Sequence, residues 1–236
     1  MKRPHTVAWK AFTLVELFVV VVVLSVLAAI FLPQWVRSQR RYPAGLSCVN
    51  NLKQVGLAFK TWALDNNDHF PMQVGVTNGG TMELVNAGNV WPHFLVMSNE
   101  LSTPKILFCP QEAEKQRTMA NAFLPNPAPP PLGPPASPIV PLTNDSHLSY
   151  FVGVDADDQF PQMVLAGDHN LLIGGKPAGH GLHAVWTNAP VAWLKPAHQG
   201  MGNVLLADGS VQPLPSAKWH SVLVQTGVAT NRLAMP

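Results

Sequence analysis

FTLVELFVVVVVLSVLAAIFL, residues 12–32, is the stretch on which the reading of this chain turns. It carries one ionisable side chain, Glu16, in 21 positions. As a helix rising about 1.5 Å per residue it would reach roughly 30 Å, the hydrocarbon thickness of a bilayer. The valine run from Val19 to Val23 is a mediocre helix former in water. In lipid, a backbone with no other hydrogen-bond partner becomes helical regardless. An ordinary secretory signal has a shorter apolar region, about 7 to 15 residues, and carries no carboxylate near its start. Glu16 therefore demands an explanation, because a carboxylate in an apolar segment costs several kcal/mol unless it is paired or near the interface.

Outward from this stretch, Lys2, Arg3 and Lys10 precede it and Arg37, Arg40 and Arg41 follow it, so charge asymmetry alone sets no orientation. Without the first eleven residues the chain holds 12 basic and 13 acidic side chains. Such a near-neutral body has no clustered basic face for phosphate backbones, which sets nucleic acid aside as a partner. Charged residues are 12% of the chain, about half the usual share of a soluble protein. Cys48 and Cys109 form an even pair; in an exported chain this favours a disulfide over a metal site, with two buried free thiols as the alternative.

The string AFTLVEL at residues 11–17 resembles the processing site of type IV prepilins. That resemblance implies cleavage between Ala11 and Phe12 by a prepilin peptidase, and N-methylation of Phe12. The position before the cut, commonly Gly in the family, is Ala11 here. Glu16 becomes the fifth mature residue, and the new amine of a neighbouring subunit supplies its partner during assembly. Pro33 falls at the twenty-second mature position, where pilins often carry a helix-loosening proline. Three further features resemble the prepilin subfamily named for a His, nine residues and Asp-Gly: CVNNLKQVGLAF from Cys48, FCP at 108–110, and HQGMGNVLLADGS from His198 through Asp208 and Gly209.

The family likeness implies an α+β, pilin-like fold: a long N-terminal hydrophobic helix packed on a small antiparallel β-sheet head with long loops. The expected organisation is a leader at 1–11, a transmembrane assembly helix at 12–32, and a stalk continuation at 33–66 bent near 43–45. A β-rich head follows at 67–236, with a Pro-rich loop at 125–141 and the hallmark hairpin at 198–214. The implied role is structural: a subunit of a type IV pilus or type II secretion pseudopilus. Its partners would be the peptidase, copies of itself and other pilin-like subunits. It would be held in the inner membrane with its N-terminus cytoplasmic and its head periplasmic.

The residues themselves support parts of this picture. Leu52, Val55, Phe59, Trp62 and Ala63 recur at steps of three and four, the pattern of an amphipathic helix. Residues 125–141 hold nine prolines in 17 positions and predict an extended, polyproline-like loop. LSYFVGV, QMVLAG, NVLLA and SVQPL read as strands, the last two joined at Asp208-Gly209, with Val204, Leu206 and Val211 facing a core. SAKWHSVLVQ, residues 216–225, reads as a short closing helix with Trp219, Val222 and Leu223 inward.

His169, His180, His183 and His198, with Asp168 and Asp208, supply the residue types of a zinc site. His180 and His183 are expected in a loop without the helical spacing that zinc motifs use. Asp155, Asp157 and Asp158 would suit calcium but lack the full loop pattern of a calcium hand. No metal or other cofactor is therefore expected. Without a nucleophile elbow, a phosphate-cradling loop or a Cys-His dyad, the chain reads as a non-enzyme. The competing reading is a membrane-anchored periplasmic binding or metal-dependent domain that keeps a prepilin-type leader and does not polymerise.

Overall fold

The structure, a computed structural model, describes residues 14–110, 117–123, 138–194 and 200–236, and the side chains of all of these except 28–45. The chain divides into two compact units, Met1–Pro43 and Ala44–Pro236. In the first, residues from Leu14 onward are helical, and helix α1 is assigned over Leu14–Asp65. The bend expected at 43–45 falls where side chains are not described.

In the second unit α1 is amphipathic, as its spacing predicts. Cys48, Leu52, Val55, Ala58, Phe59, Trp62 and Ala63 are buried, while Lys53, Leu57 and Leu64 face outward. The helix stops because Asn67 and Asp68 turn left-handed, conformations that Asn and Asp tolerate better than most residues. The carbonyl of Ala63 accepts from the N–H groups of Asn66 and Asp68, each at 2.9 Å, and Asn66 Nδ2 donates to Trp62 O at 2.8 Å. These bonds satisfy carbonyls that a helix end leaves open.

The segment after α1 is a layer of 3-10 turns and two short helices, α2 (Trp91–Leu95) and α3 (Ser98–Leu101). Aromatic edges fasten it to α1: the ring of Phe59 meets Phe70 at 5.6 Å and Phe94 at 6.0 Å, both in T-shaped geometry. Its far end is joined covalently, by a disulfide between Cys48 and Cys109. Asn51 Nδ2 donates to the carbonyl of Phe108 at 3.0 Å, one helical turn from the bridge.

Among the described residues nine strands follow: β1 (Tyr150–Gly153), β2 (Val164–Asp168), β3 (Leu171–Ile173), β4 (Lys176–Pro177), β5 (Gly181–Trp186), β6 (Val191–Trp193), β7 (Met201–Leu206), β8 (Val211–Pro215) and β9 (Thr230–Met235). Six form an antiparallel sheet in the order β5-β9-β1-β2-β7-β8, and β4-β3-β6 form a second, three-stranded one. Both faces of the large sheet are covered. Tyr150, Val152, Ala166, Leu205 and Ala234 pack with α1 and the turn layer. Phe151, Val164, Val204, Leu206, Leu214 and Leu233 pack with the small sheet and with helix α4 (Trp219–Gln225). Trp219 packs on Trp193 with ring centroids 5.2 Å apart and planes tilted by 46°, and Val222 and Leu223 are buried as the sequence predicts.

The expected pilin-like fold is corrected by these findings. Among the described residues no helix is long and apolar enough to cross a membrane, and the sheets are larger than a small head requires. Five strands escaped sequence reading: β3, β4 and β6 are two or three residues long, too short for any periodicity to show, and β5 and β9, six residues each, lack strict apolar alternation. His180 and His183 are not both in a loop: His183 lies in β5, paired with Leu233. Val211 faces a core, as expected: it pairs with Leu205 and packs on the α1 side of the sheet, while Val204 and Leu206 pack on the other.

The hairpin at Asp208-Gly209 is present in a different form from a two-residue turn. Gly209 N–H donates to Leu206 O at 2.9 Å, Leu206 N–H donates to Ser210 O at 2.9 Å, and Gly209 alone is left-handed, at φ +85°. This is the bonding of a longer loop with Gly at the left-handed position. Its tip meets α1 at Gly56, where an added Cβ would stand 2.7 Å from Leu205 Cδ1 and 3.5 Å from the Gly209 backbone.

The disulfide closes a loop of about 60 residues, which in the chain-entropy model is worth on the order of 4 kcal/mol. Thermal unfolding followed by circular dichroism should show the reduced protein, or Cys48→Ser with Cys109→Ser, melting about 8–16 °C below the oxidised one.

Candidate functional site

Leu14 to Leu27 are all exposed. Leu14 is 83% exposed, Phe18 65% and Leu24 60%. The only polar side chains in this run are Glu16 and Ser25, and Ser25 Oγ returns its hydrogen to Val22 O at 2.8 Å. Glu16 stands in the first turn of α1, where a carboxylate is favoured by the positive end of the helix dipole. An exposed apolar surface around the whole circumference of a helix marks an interaction site, since single soluble proteins rarely leave such patches uncovered. Ala11 and Phe12, the expected processing site, lie outside the described residues.

The hallmark residues divide likewise. His198 lies outside the described residues. Asp208 is exposed and accepts from Ser210 N–H at 2.8 Å, so its carboxylate locks the turn. Most of the Pro-rich loop is undescribed; at its end, Ala122 and Pro141 form a parallel bridge.

The histidines and aspartates of the head are spread over separate tasks. Asp168, fully buried at the end of β2, accepts from Asn203 N–H at 2.7 Å and Asn203 Nδ2 at 2.9 Å. His169 Nδ1 lies 3.3 Å from Ser149 O, and His183 Nε2 lies 2.7 Å from Gly179 O. Asp155 holds Arg232 through its side chain at 2.5 and 2.9 Å and its backbone N–H at 2.8 Å; this raises the guanidinium pKa above its ordinary value, the side-chain hydrogen bond being the chief cause. Asp157 accepts from Gln73 Nε2 and Gln159 N–H, both at 2.8 Å, and Asp158 pairs with Lys60. Asp155 and Asp157 line a groove of about 470 Å³ with Phe160, Met163 and Val228, but their oxygens are turned to protein donors. Among the described residues no three His, Cys, Asp or Glu side chains are arranged to hold a metal ion.

The most connected carboxylate was invisible to sequence reasoning. Asp145, buried in the 3-10 turn Asp145–His147, accepts from Val90 N–H at 3.0 and 3.1 Å and from Trp91 N–H at 2.7 Å. It thereby satisfies open donors at the start of α2 from 54 or 55 residues away. His180 Nε2 lies 2.9 Å from its other oxygen. Arg117 Nη1 donates to the Asp145 carbonyl at 3.1 Å and also to Leu148 O, while Nη2 reaches Pro236 O at 3.1 Å. One side chain thus joins the turn layer, the approach to β5 and the lead-in to β1. The run Asn144-Asp145-Ser146 reads as an ordinary polar turn, and only burial distinguishes it.

Two residues along α2 from Trp91, His93 is fully buried and shares a 2.7 Å hydrogen bond with Thr81 Oγ1 through Nδ1. Its Nε2 is buried without a partner among the described residues. Burial lowers its pKa from 6.5 to about 4, so the ring is neutral at pH 7.

Comparison with known protein families, curated proteins and solved structures found nothing that matches this chain.

Truncating the Asp145 carboxylate leaves Val90 N–H and Trp91 N–H in a buried place without an acceptor. Asp145→Ala is expected to cost roughly 2–4 kcal/mol, read as a lower urea midpoint. Asp145→Asn, which keeps one acceptor oxygen, should lose less.

Proposed function

We propose that this chain is a structural subunit of a pilus-like or type II secretion filament, processed by a prepilin peptidase between Ala11 and Phe12. The observation that supports this reading most directly is the exposed apolar helix from Leu14 to Leu27, interrupted near its start by Glu16. That described run is about 21 Å long as a helix. Its surface is suited to close packing among copies of the same helix, where dispersion between tightly fitted side chains supplies cohesion. Glu16 would meet the free amine of a neighbouring Phe12, which neutralises a carboxylate that would otherwise be costly to bury.

The disulfide supports an oxidising compartment for the head. On this reading the head is periplasmic, and the N-terminal segment is held at the inner membrane, its start cytoplasmic, until assembly. The role proposed is structural: Asp145, Asp155, Asp157 and Asp158 of the head hold segments together.

Two measurements test the reading. Mass spectrometry of the mature protein should find a chain beginning at N-methylated Phe12; an intact Met1 start would overturn the processing step. Glu16→Ala should leave the head folded, with the same circular dichroism spectrum, while filaments seen by electron microscopy fall by at least tenfold. Normal filaments from that variant would refute the assembly role of Glu16.

A further inference from the structure

The layer that follows α1 is built from weak elements. Between Pro71 and Leu107 it holds 3-10 turns and two helices of five and four residues, with poorer hydrogen-bond geometry than long helices have. Both ends are anchored firmly, one by α1 and the other by the disulfide at Cys109. Its middle is held to the rest of the head by the Asp145 carboxylate at the start of α2. Within it, His93 joins α2 to Thr81 through a single hydrogen bond.

We propose that His93 is an acid sensor: its protonation loosens residues 81–97 from the head, while α1 and the six-stranded sheet stay folded. The geometry supplies the reason. A neutral imidazole needs one partner here and has one, Thr81 Oγ1. The protonated ring carries N–H on both nitrogens, and among the described residues the fully buried Nε2 has no acceptor. An uncompensated buried charge is relieved most cheaply by opening the segment that buries it.

The other ionisable groups around α2 do not offset this charge. Asp145 holds the start of α2, two residues before His93, and is engaged with Val90 N–H, Trp91 N–H and His180. Arg117 contributes a further positive charge on the far side of Asp145. On the turn Met82–Ala87, Glu83 accepts from Val76 N–H at 2.8 Å. Glu100 belongs to α3 and His147 bonds to Thr118 O at 2.6 Å. None of them is hydrogen-bonded to the His93 ring.

The direction follows from linkage. With a pKa of about 4 in the closed form against 6.5 when exposed, the open form binds more protons between those values. Closure is therefore fully favoured above about pH 6.5 and is lost progressively as pH falls toward 4. Between pH 7.5 and pH 4.5 the opening equilibrium rises about 70-fold. The tether at Cys109 keeps the loosened segment beside its seat, so closure on return to neutral pH is intramolecular.

Hydrogen exchange of the full oxidised chain at pH 7.5 and 4.5, corrected for the intrinsic pH dependence of exchange, tests this. Amides in 81–97 should lose protection by about 70-fold, and those of β1, β2 and β7 by much less. In His93→Gln, whose amide does not titrate, the pH response of 81–97 should fall below about threefold. Equal losses in the segment and the sheet, or a full response retained in His93→Gln, would overturn the proposal. If that variant does not fold, the imidazole titration is followed by NMR in the unaltered chain; a His93 pKa near 6.5 would equally overturn it.

Discussion

Everything in the head is arranged around the seat of α1 on the large sheet. A helix with a continuous apolar stripe has to bury it, and here the stripe from Cys48 to Ala63 meets side chains from β1, β2, β7 and β9. The closest approach is made by absence: Gly56 has no side chain, so the helix backbone comes down on Leu205 and the Gly209 turn. Close approach at this one point positions the turn layer on one side and the opposite sheet face on the other. The disulfide then fixes the start of the same stripe to the end of the turn layer.

How much of this was legible depends on whether a residue's role is local. The stripe on α1 was readable because Leu52, Val55, Phe59 and Trp62 repeat at helical spacing, and β1, β2, β7 and β8 because they are apolar runs between turn residues. The even cysteine pair likewise pointed to the bond that forms. Which of the two cores Val211 joins was not readable, because β8 is a five-residue run, VQPLP, without strict alternation. Asp145 was missed for a different reason. Its partners lie 54 or 55 residues earlier and 35 residues later in the chain, and no local pattern announces a contact that only tertiary folding creates.

The spread of His and Asp side chains also shows the limit of composition as a guide to chemistry. Six residues in a Gly-rich region have the vocabulary of a metal site, yet those described bond to backbone carbonyls, to amides or, for His180, to the Asp145 carboxylate. In a chain with only 12% charged residues, each buried carboxylate that folds correctly must find donors, and doing so uses up the oxygens a ligand would need.

The order of strands in the large sheet has a consequence for biosynthesis. β9, Thr230–Met235, is inserted between β5 and β1, so β5 has no place in the sheet until residue 235 is available. β1, β2, β7 and β8 can pair with one another as they emerge, but one edge of β1 stays open and β5 stays outside the sheet until β9 arrives between them. The last strand made is thus the one that joins β5 to the rest, and the six-stranded sheet is completed from its middle rather than from its rim.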